Sequence, residues 1–492
     1  MLVTCWLLHT MALPLRQFLY RIHQRSFIPT TTSIATSSTS SMYLFKAAAS
    51  KFRSFTSPSR APPSLQADTT APHVVIPFDD AINIAQINDD GGEHFTCDEE
   101  PFMVGLPHTP GYMPIQFGAL LEGDNHKYKV LRKLGWGTAS SVWLAQRLGS
   151  CDESKFFAIK VLTCSASTAI FQKFSHELDV LAAIRGDRGN HPGKSLCVTG
   201  VDILAEESVH GGHLCIVTEP YAISFLHLLR QSSVNGFDRG LVAKTVVKQV
   251  LLALDFLHSL GYVHTDIKTD NLLLPLKGQQ KEIAAWLKDH PSSTYPPRNE
   301  PSLWPEPIIT SKSEPLPPLG LKLPDALVVH LSDYGSAIPE SKISPGMYAM
   351  PTVLRAPEII LEHPWGKPVD VWAVGCMALE LITGQQVFNI DRTADLSFTE
   401  VHLARIADLV GPFSPQFLSA CRLRADFFDD AGNLLRKPIL SHHNSIAERI
   451  ASAGLRDEEL ANASAFVRRA LSIDPSERPS ASALLADEWL KL

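Results

Sequence analysis

Apolar and polar residues alternate from Tyr128 in YKVLRKLGWGTASSVWLAQ, stop at Gly135 and Gly137, and resume at Ser141-Val142-Trp143-Leu144. A period of two marks a half-buried strand and the paired glycines a tight turn, so the stretch predicts strand, turn, strand. FFAIKVL, Phe156 to Leu162, predicts a third strand, and HLCIVTEPY, His213 to Tyr221, a buried strand that ends at Pro220. Between these, IFQKFSHELDVLAAI, Ile170 to Ile184, has the helical period. Beyond Tyr221 helical patterns dominate: LVAKTVVKQVLLALDFLHSLG, DVWAVGCMALELITG and NASAFVRRALSI. A strand-rich part followed by a helix-rich part predicts an α+β protein with two lobes and a cleft between them. The small lobe is placed at 111–220, with folded sequence beginning near Tyr112, and the larger lobe at 221–492.

Two stretches break the pattern. The segment between Leu274 and Val328 is crowded with proline and has one short helical candidate, around Lys281 to Lys288. Proline removes backbone donors and interrupts helix and sheet, so about 275–325 reads as a flexible insertion looped out of the larger lobe. Residues 1–110 are a basic, Ser-rich leader. No Asp or Glu occurs before Asp68, while Arg16, Arg21, Arg25, Lys46, Lys51, Arg53 and Arg60 are spread through text such as TTTSIATSSTSS. Such composition builds no core and predicts disorder. It is also the composition of a transit peptide, with MALPLRQFLYRIHQRSF from Met11 as the amphipathic part, which makes mitochondrial import the alternative address. The apolar stretch from Met1 lacks the basic start of a secretory signal.

Composition narrows the classes. Apolar residues make up 45% and charged residues 19% of the 492, as in ordinary globular proteins. The net charge of −7 offers no basic surface for direct nucleic-acid binding. No apolar run reaches the roughly 18 residues of a membrane span. None of the 8 cysteines stands in a CxxC pair, which argues against a disulfide framework or a zinc site and for a reducing compartment.

The chemistry-bearing residues then fall into an order. Gly135-Trp136-Gly137, with Val142 after it, lets backbone approach phosphate without a side chain in the way. Alone, two glycines in a hairpin are only a turn. Ala158-Ile159-Lys160 puts a lysine inside an apolar strand, a costly place unless it is paired, and Glu177 on the following helix is its natural partner. Next comes GYVHTDIKTDNLLL with His264, Asp266, Lys268 and Asn271. Ser332-Asp333-Tyr334-Gly335, Ala356-Pro357-Glu358, Asp370-Val371-Trp372-Ala373-Val374-Gly375 and Arg478 follow. Each is unremarkable by itself; the whole series at these spacings matches the protein-kinase signature set.

That resemblance implies a two-lobed kinase fold, with ATP and Mg²⁺ as cofactors and proteins as substrates. On the phosphoryl-transfer template, the turn from Leu134 through Gly135, Trp136 and Gly137 to Val142 covers the phosphates. Lys160, held by Glu177, binds the α- and β-phosphates, and Asn271 and Asp333 are the metal ligands. Asp266 orients the substrate hydroxyl and takes its proton, and Lys268 neutralises charge on the transferring phosphate. Ala158, Thr218 as gatekeeper, and Glu219 to Tyr221 as hinge complete the adenine pocket. Glu358, Arg478 and Asp370 read as structural: an ion pair bracing the larger lobe and a carboxylate capping the catalytic loop.

GYMPIQFG before the first strand, the GWG turn with Ser140 in place of a third glycine, HTDIK with Thr265 in place of Arg, the long spacer before Asp333, and FFDDAGNLL from Phe427 resemble the SR-protein kinases. The resemblance runs from about Tyr112 to Leu492. It implies a CMGC-branch serine/threonine kinase acting on Arg/Ser-rich splicing proteins in cytoplasm and nucleus, as a monomer. Some positions depart from the pattern. Tyr334 replaces Phe or Leu, and Thr352 and Leu354 replace the Arg and Tyr of the substrate-facing run. Arg405 sits between Glu400 and the acidic docking candidate Asp408. Thr265 cannot bind an activation-segment phosphate as an arginine does, so the expectation is an enzyme active without that phosphorylation. A pseudokinase scaffold would lack Lys160, Asp266 or Asp333, and a small-molecule kinase would lack Ala356-Pro357-Glu358; all are present.

Overall fold

The alternation that begins at Tyr128 forms neighbouring strands of a six-stranded sheet. A computed structural model describes residues 97–149, 155–231, 238–276, 280–301, 304–319, 327–388, 390, 395–438 and 445–491. Its first strands are β1 (Leu120–Glu122), β2 (Lys127–Gly137), β3 (Ser140–Leu148), β4 (Phe156–Leu162), β5 (Gly200–Ser208) and β6 (Gly211–Thr218). They lie in the order β1-β2-β3-β4-β6-β5, and the pairs from β1 to β4 and β4 to β6 are antiparallel. One face of the sheet carries Tyr128, Val130, Trp143, Ile159, Val161, Cys215 and Val217 in a buried cluster. Each large side chain withdrawn from water there contributes about 2 kcal/mol. The alternate residues, Val142, Ala158, Lys160 and Thr218, necessarily point to the other face.

Two compact units divide the chain. One comprises Met1–Phe174, Val201–Glu219 and Ala284–Pro315; the other comprises Ser175–Gly200, Pro220–Ile283 and Leu316–Leu492. The first holds the sheet and α1 (Cys164–Phe171). The second begins with α2 (Glu177–Gly186) and is built on α3 (Arg239–Ser259), α5 (Pro368–Thr383) and α6 (Asp457–Ala470). Between α3 and α5 in sequence stands α4 (Gln280–Asp289). Helix α5 is buried on nearly every side, which its uninterrupted apolar text requires. A Cβ at Gly375 would come within 2.9 Å of Ala470 Cβ and 2.8 Å of Leu471 Cδ2, so only glycine lets α5 and α6 approach this closely. None of the described helices is long and apolar enough to cross a membrane.

Three expectations are corrected. The helical period from Ile170 to Ile184 is two helices, not one. Lys173 takes a left-handed conformation (φ +61°) that ends α1, and Ser175 turns its hydroxyl to the Gly335 carbonyl at 2.9 Å. The folded chain also begins before Tyr112: Glu99 and Glu100 are buried against Lys133. Residues 1–96, with the transit-peptide candidate, lie outside the described residues.

The largest correction concerns the proline-rich insertion. Residues 284–315 belong to the sheet-bearing unit. They pair with themselves through Thr294↔Ser311 and Arg298↔Ile308 and with β2 through Lys133↔Ser313. Arg132 donates to the Glu314 and His290 carbonyls, each at 2.7 Å, and meets the Glu314 carboxylate at 3.2 Å. Its guanidinium stacks 4.7 Å from the Trp286 ring centroid. Proline content hid this because the fastening is polar and uses carbonyls, which proline retains. Arg132→Ala is expected to lower unfolding stability by about 2 kcal/mol, since the charged hydrogen bonds from a buried guanidinium and its packing on Trp286 are lost. A denaturant titration with an unchanged midpoint would count against this fastening.

Candidate active site

Two short antiparallel ladders in the helical unit bring distant loops together. β8 (Tyr262–Val263) pairs with β11 (Ile338–Pro339), and β9 (Leu272–Pro275) pairs with β10 (His330–Leu331). The loop carrying Asp266, Lys268 and Asn271 joins β8 to β9, and Asp333-Tyr334-Gly335 joins β10 to β11. Pairing at both ends therefore fixes each loop against the other. β7 (Tyr221–Ser224) completes the sheet β10-β9-β7 and places Tyr221 beside Pro275.

Within the first loop, the Asp266 carboxylate accepts from Lys268 Nζ and from Asn271 Nδ2, both at 2.9 Å. Asn271 Nδ2 also donates to the Asp266 carbonyl at 2.8 Å. The amide nitrogen is thus committed, and the amide oxygen, an acceptor, is the end left for a cation. The Asn271 carbonyl takes the backbone N–H of Ser332 at 2.9 Å and its hydroxyl at 2.8 Å, tying the loop to the residue before Asp333. Asp333 itself is held left-handed, at φ +60°. A Cβ added to Gly335 would lie 3.4 Å from Asp333 Oδ1 and 3.5 Å from Glu177 Oε2, so both carboxylates converge on that glycine.

Buried polar groups hold this arrangement. Asp370, fully buried, accepts from His264 N at 2.8 Å, Thr265 N at 2.7 Å and His258 Nε2 at 2.9 Å. Arg478 and Glu358 form a buried pair at 2.5 and 2.7 Å. Both match the structural roles read from sequence.

Two contacts were missed. Thr265, at φ +66°, donates its hydroxyl to the Ser336 carbonyl at 2.8 Å. The Tyr334 hydroxyl lies 2.8 Å from the Leu331 carbonyl and 3.1 Å from that of Val198. Burial, with Cys197 alongside, pushes this phenol well up, so it stays a donor. The only available signal was the hydroxyl that each residue carries where Arg and Phe are usual.

In the sheet-bearing unit, Gly135, Val142, Lys160 and Ile216 occupy one row across β2, β3, β4 and β6. Leu144, Ala158 and Thr218 form the next row on the same face. Leu134, Trp136 and Gly137 lie on β2, which runs through both glycines, so the tight turn expected at the glycines falls instead at Thr138-Ala139; Glu219 is exposed just past β6. Lys160, Thr218 and Glu219 thus belong to one unit and Glu177, Tyr221, Asp266, Lys268, Asn271 and Asp333 to the other.

A model of the protein kinase domain matches residues 128–288 and 321–490. The unmatched interval falls in the insertion. A serine/threonine protein kinase of Aspergillus fumigatus is 28% identical over 389 residues, covering 77% of this chain and 87% of that protein. The serine/threonine-protein kinase SRPK of Physarum polycephalum is 27% identical over 393 residues, covering 75% and 87%. SRSF protein kinase 3 of Mus musculus is 24% identical over 521 residues, covering 77% and 88%. A crystal structure of a kinase domain superposes with a TM-score of 0.54 at 21% identity over 77% of this chain and 99% of that one, a likeness of fold. The chain belongs to the protein kinase domain family, and the serine/threonine kinases it is similar to include an SRPK and an SRSF protein kinase.

Proposed function

We propose that this serine/threonine kinase is active and that Asp266, Lys268, Asn271 and Asp333 carry its phosphoryl transfer. The observation that supports this best is the set of bonds around Asn271: its side-chain amide nitrogen orients the Asp266 carboxylate while its backbone carbonyl secures the strand leading to Asp333. Asp266 is held to point one oxygen at Lys268 and Asn271, which leaves its remaining lone pairs for a substrate hydroxyl proton. Lys268 lies within reach of charge gathering on the transferred phosphate.

The donors suit magnesium. Among the described residues no group of three His, Cys, Asp or Glu side chains forms a metal cage. A site of one carboxylate and one amide oxygen, completed by substrate phosphates and water, is the way this ion is ordinarily held. Asp333 and Asn271 would hold it, and its contribution is to neutralise phosphate charge. On the sheet, Gly135 and Gly137 leave backbone open to the phosphates, Lys160 supplies the cation, and Val142, Ala158 and Thr218 line the adenine side. Glu219 to Tyr221 form the hinge.

The substrate class follows the relatives: Ser or Thr of proteins, with Arg/Ser-rich splicing proteins first among them, and cytoplasm and nucleus as the place of action. Strict selection of arginine is not supported by the acidic positions. The Glu400 carboxylate is occupied by the Ser397 amide and hydroxyl, both at 2.7 Å, and by Arg436 at 3.2 Å. A library of Ser and Thr peptides with and without neighbouring arginine tests both activity and this preference.

Control is proposed to rest on Thr265. Its hydroxyl fastens the start of the segment after Asp333-Tyr334-Gly335, the part an arginine–phosphate pair orders elsewhere. Protein made in bacteria and treated with phosphatase is therefore expected to keep its full rate. Thr265→Val keeps the shape and removes one hydrogen bond, which is expected to lower kcat about fivefold. A large loss on phosphatase treatment, restored by an upstream kinase, would overturn this control.

A further inference from the structure

The glycine turn hangs on a segment far from its own strand. Lys133 stands two residues before Gly135, and the strand register shifts between them. It faces Trp143 on the core side of the sheet and is 1% exposed. Its ammonium meets the Glu99 carboxylate at 2.7 Å and that of Glu100 beside it, and both glutamates are under 5% exposed. Glu99 is fixed in turn by Ser313, whose backbone N–H donates at 2.6 Å and hydroxyl at 2.7 Å. Asp98, the residue between Cys97 and Glu99, offers its carbonyl to the Trp136 indole N–H at 2.9 Å. On the far side, the Tyr112 hydroxyl donates to the Gly137 carbonyl at 2.9 Å, and its ring meets Trp136 edge-on at 6.0 Å.

A buried ammonium with two carboxylates is a poor device for stability, because desolvating three charges offsets much of their attraction; fixing register is the better-attested use of such a network. Here the register it fixes is that of the turn. The indole bond is solvent-exposed and adds less than the buried network.

We propose that residues 97–100 are a latch that positions the Gly135-Trp136-Gly137 end of β2, and with it the hairpin turn, for nucleotide, with Glu99 and Glu100 as positioning residues. The latch rests on the assignment of this turn to ATP. It joins the segment before the domain, the insertion at Ser313 and the turn through a single lysine. Its loss loosens the turn, which weakens ATP without touching the loops that carry Asp266 and Asp333.

The test uses the full chain with Glu99→Gln and Glu100→Gln together, Trp136→Phe, and all three combined. ATP affinity by calorimetry, KM for ATP and for peptide, and kcat are measured beside the melting temperature. The paired glutamine variant is expected to weaken ATP about tenfold, with peptide KM and kcat within about twofold. Trp136→Phe is expected to weaken ATP about threefold, and the combined variant less than the product of the two, because both act through one turn. Unchanged ATP affinity beside a lowered melting temperature would overturn the latch. If the glutamine variant does not fold, Trp136→Phe decides alone: unchanged ATP affinity overturns the proposal. Calorimetry reads the latch in a preparation that transfers no phosphate, so failure of the kinase assignment and failure of the latch are told apart.

Discussion

Asp266→Asn is expected to lower kcat about a thousandfold while leaving ATP affinity within about twofold. Asparagine has the size of aspartate and can still offer an oxygen to Lys268 Nζ and Asn271 Nδ2, so the loop keeps its shape. What it lacks is the negative charge and basicity that orient the attacking hydroxyl and take its proton. The effect belongs to the transition state, so it appears in kcat and not in nucleotide binding. Steady-state kinetics with a peptide substrate and a separate ATP titration check both halves. Transfer at the parent rate would show that Asp266 is not the catalytic base.

Asp333→Asn is expected to differ in kind. Asparagine tolerates the left-handed backbone that Asp333 occupies, which alanine would strain, so the change removes charge with little else. A carboxylate lost from a site with one carboxylate and one amide removes most of its attraction for magnesium. Turnover is expected to fall by about a thousandfold or more, and the magnesium dependence of ATP affinity to flatten. Phosphoryl transfer assays across a magnesium series, with calorimetry on the same protein, separate this from the Asp266 result. Preserved magnesium dependence would remove Asp333 from the metal site.

The parts legible in the sequence are those whose cause is local. Alternation from Tyr128 marks β2 and β3 because each side chain reports its own face. The apolar text of α5 marks a buried helix for the same reason. The loop of Asp266, Lys268 and Asn271 was legible because its polar residues stand within a few positions of one another, which is also where they find their hydrogen-bond partners. The parts that escaped depend on partners far along the chain. Arg132 finds Glu314 across 182 residues, and Lys133 finds Glu99 across 34, in polar contacts that leave no periodicity. An insertion judged by its prolines therefore looked loose, and a leader judged by its composition looked as if it ended near residue 110. Thr265 was read for the charge it lacks, whereas its partner is the Ser336 carbonyl 71 residues on. The break between α1 and α2 follows a single left-handed lysine within an otherwise helical period.

Kinase activity through Asp266 is tested most directly by transfer of the γ-phosphate from ATP to a Ser/Thr peptide library by the 492-residue protein, with Asp266→Asn run beside it. Phosphate is expected on serine or threonine with the parent protein, without prior phosphorylation of the enzyme, and a near-complete loss with the variant. Nucleotide binding without transfer in the parent, or transfer undiminished in the variant, would contradict that expectation.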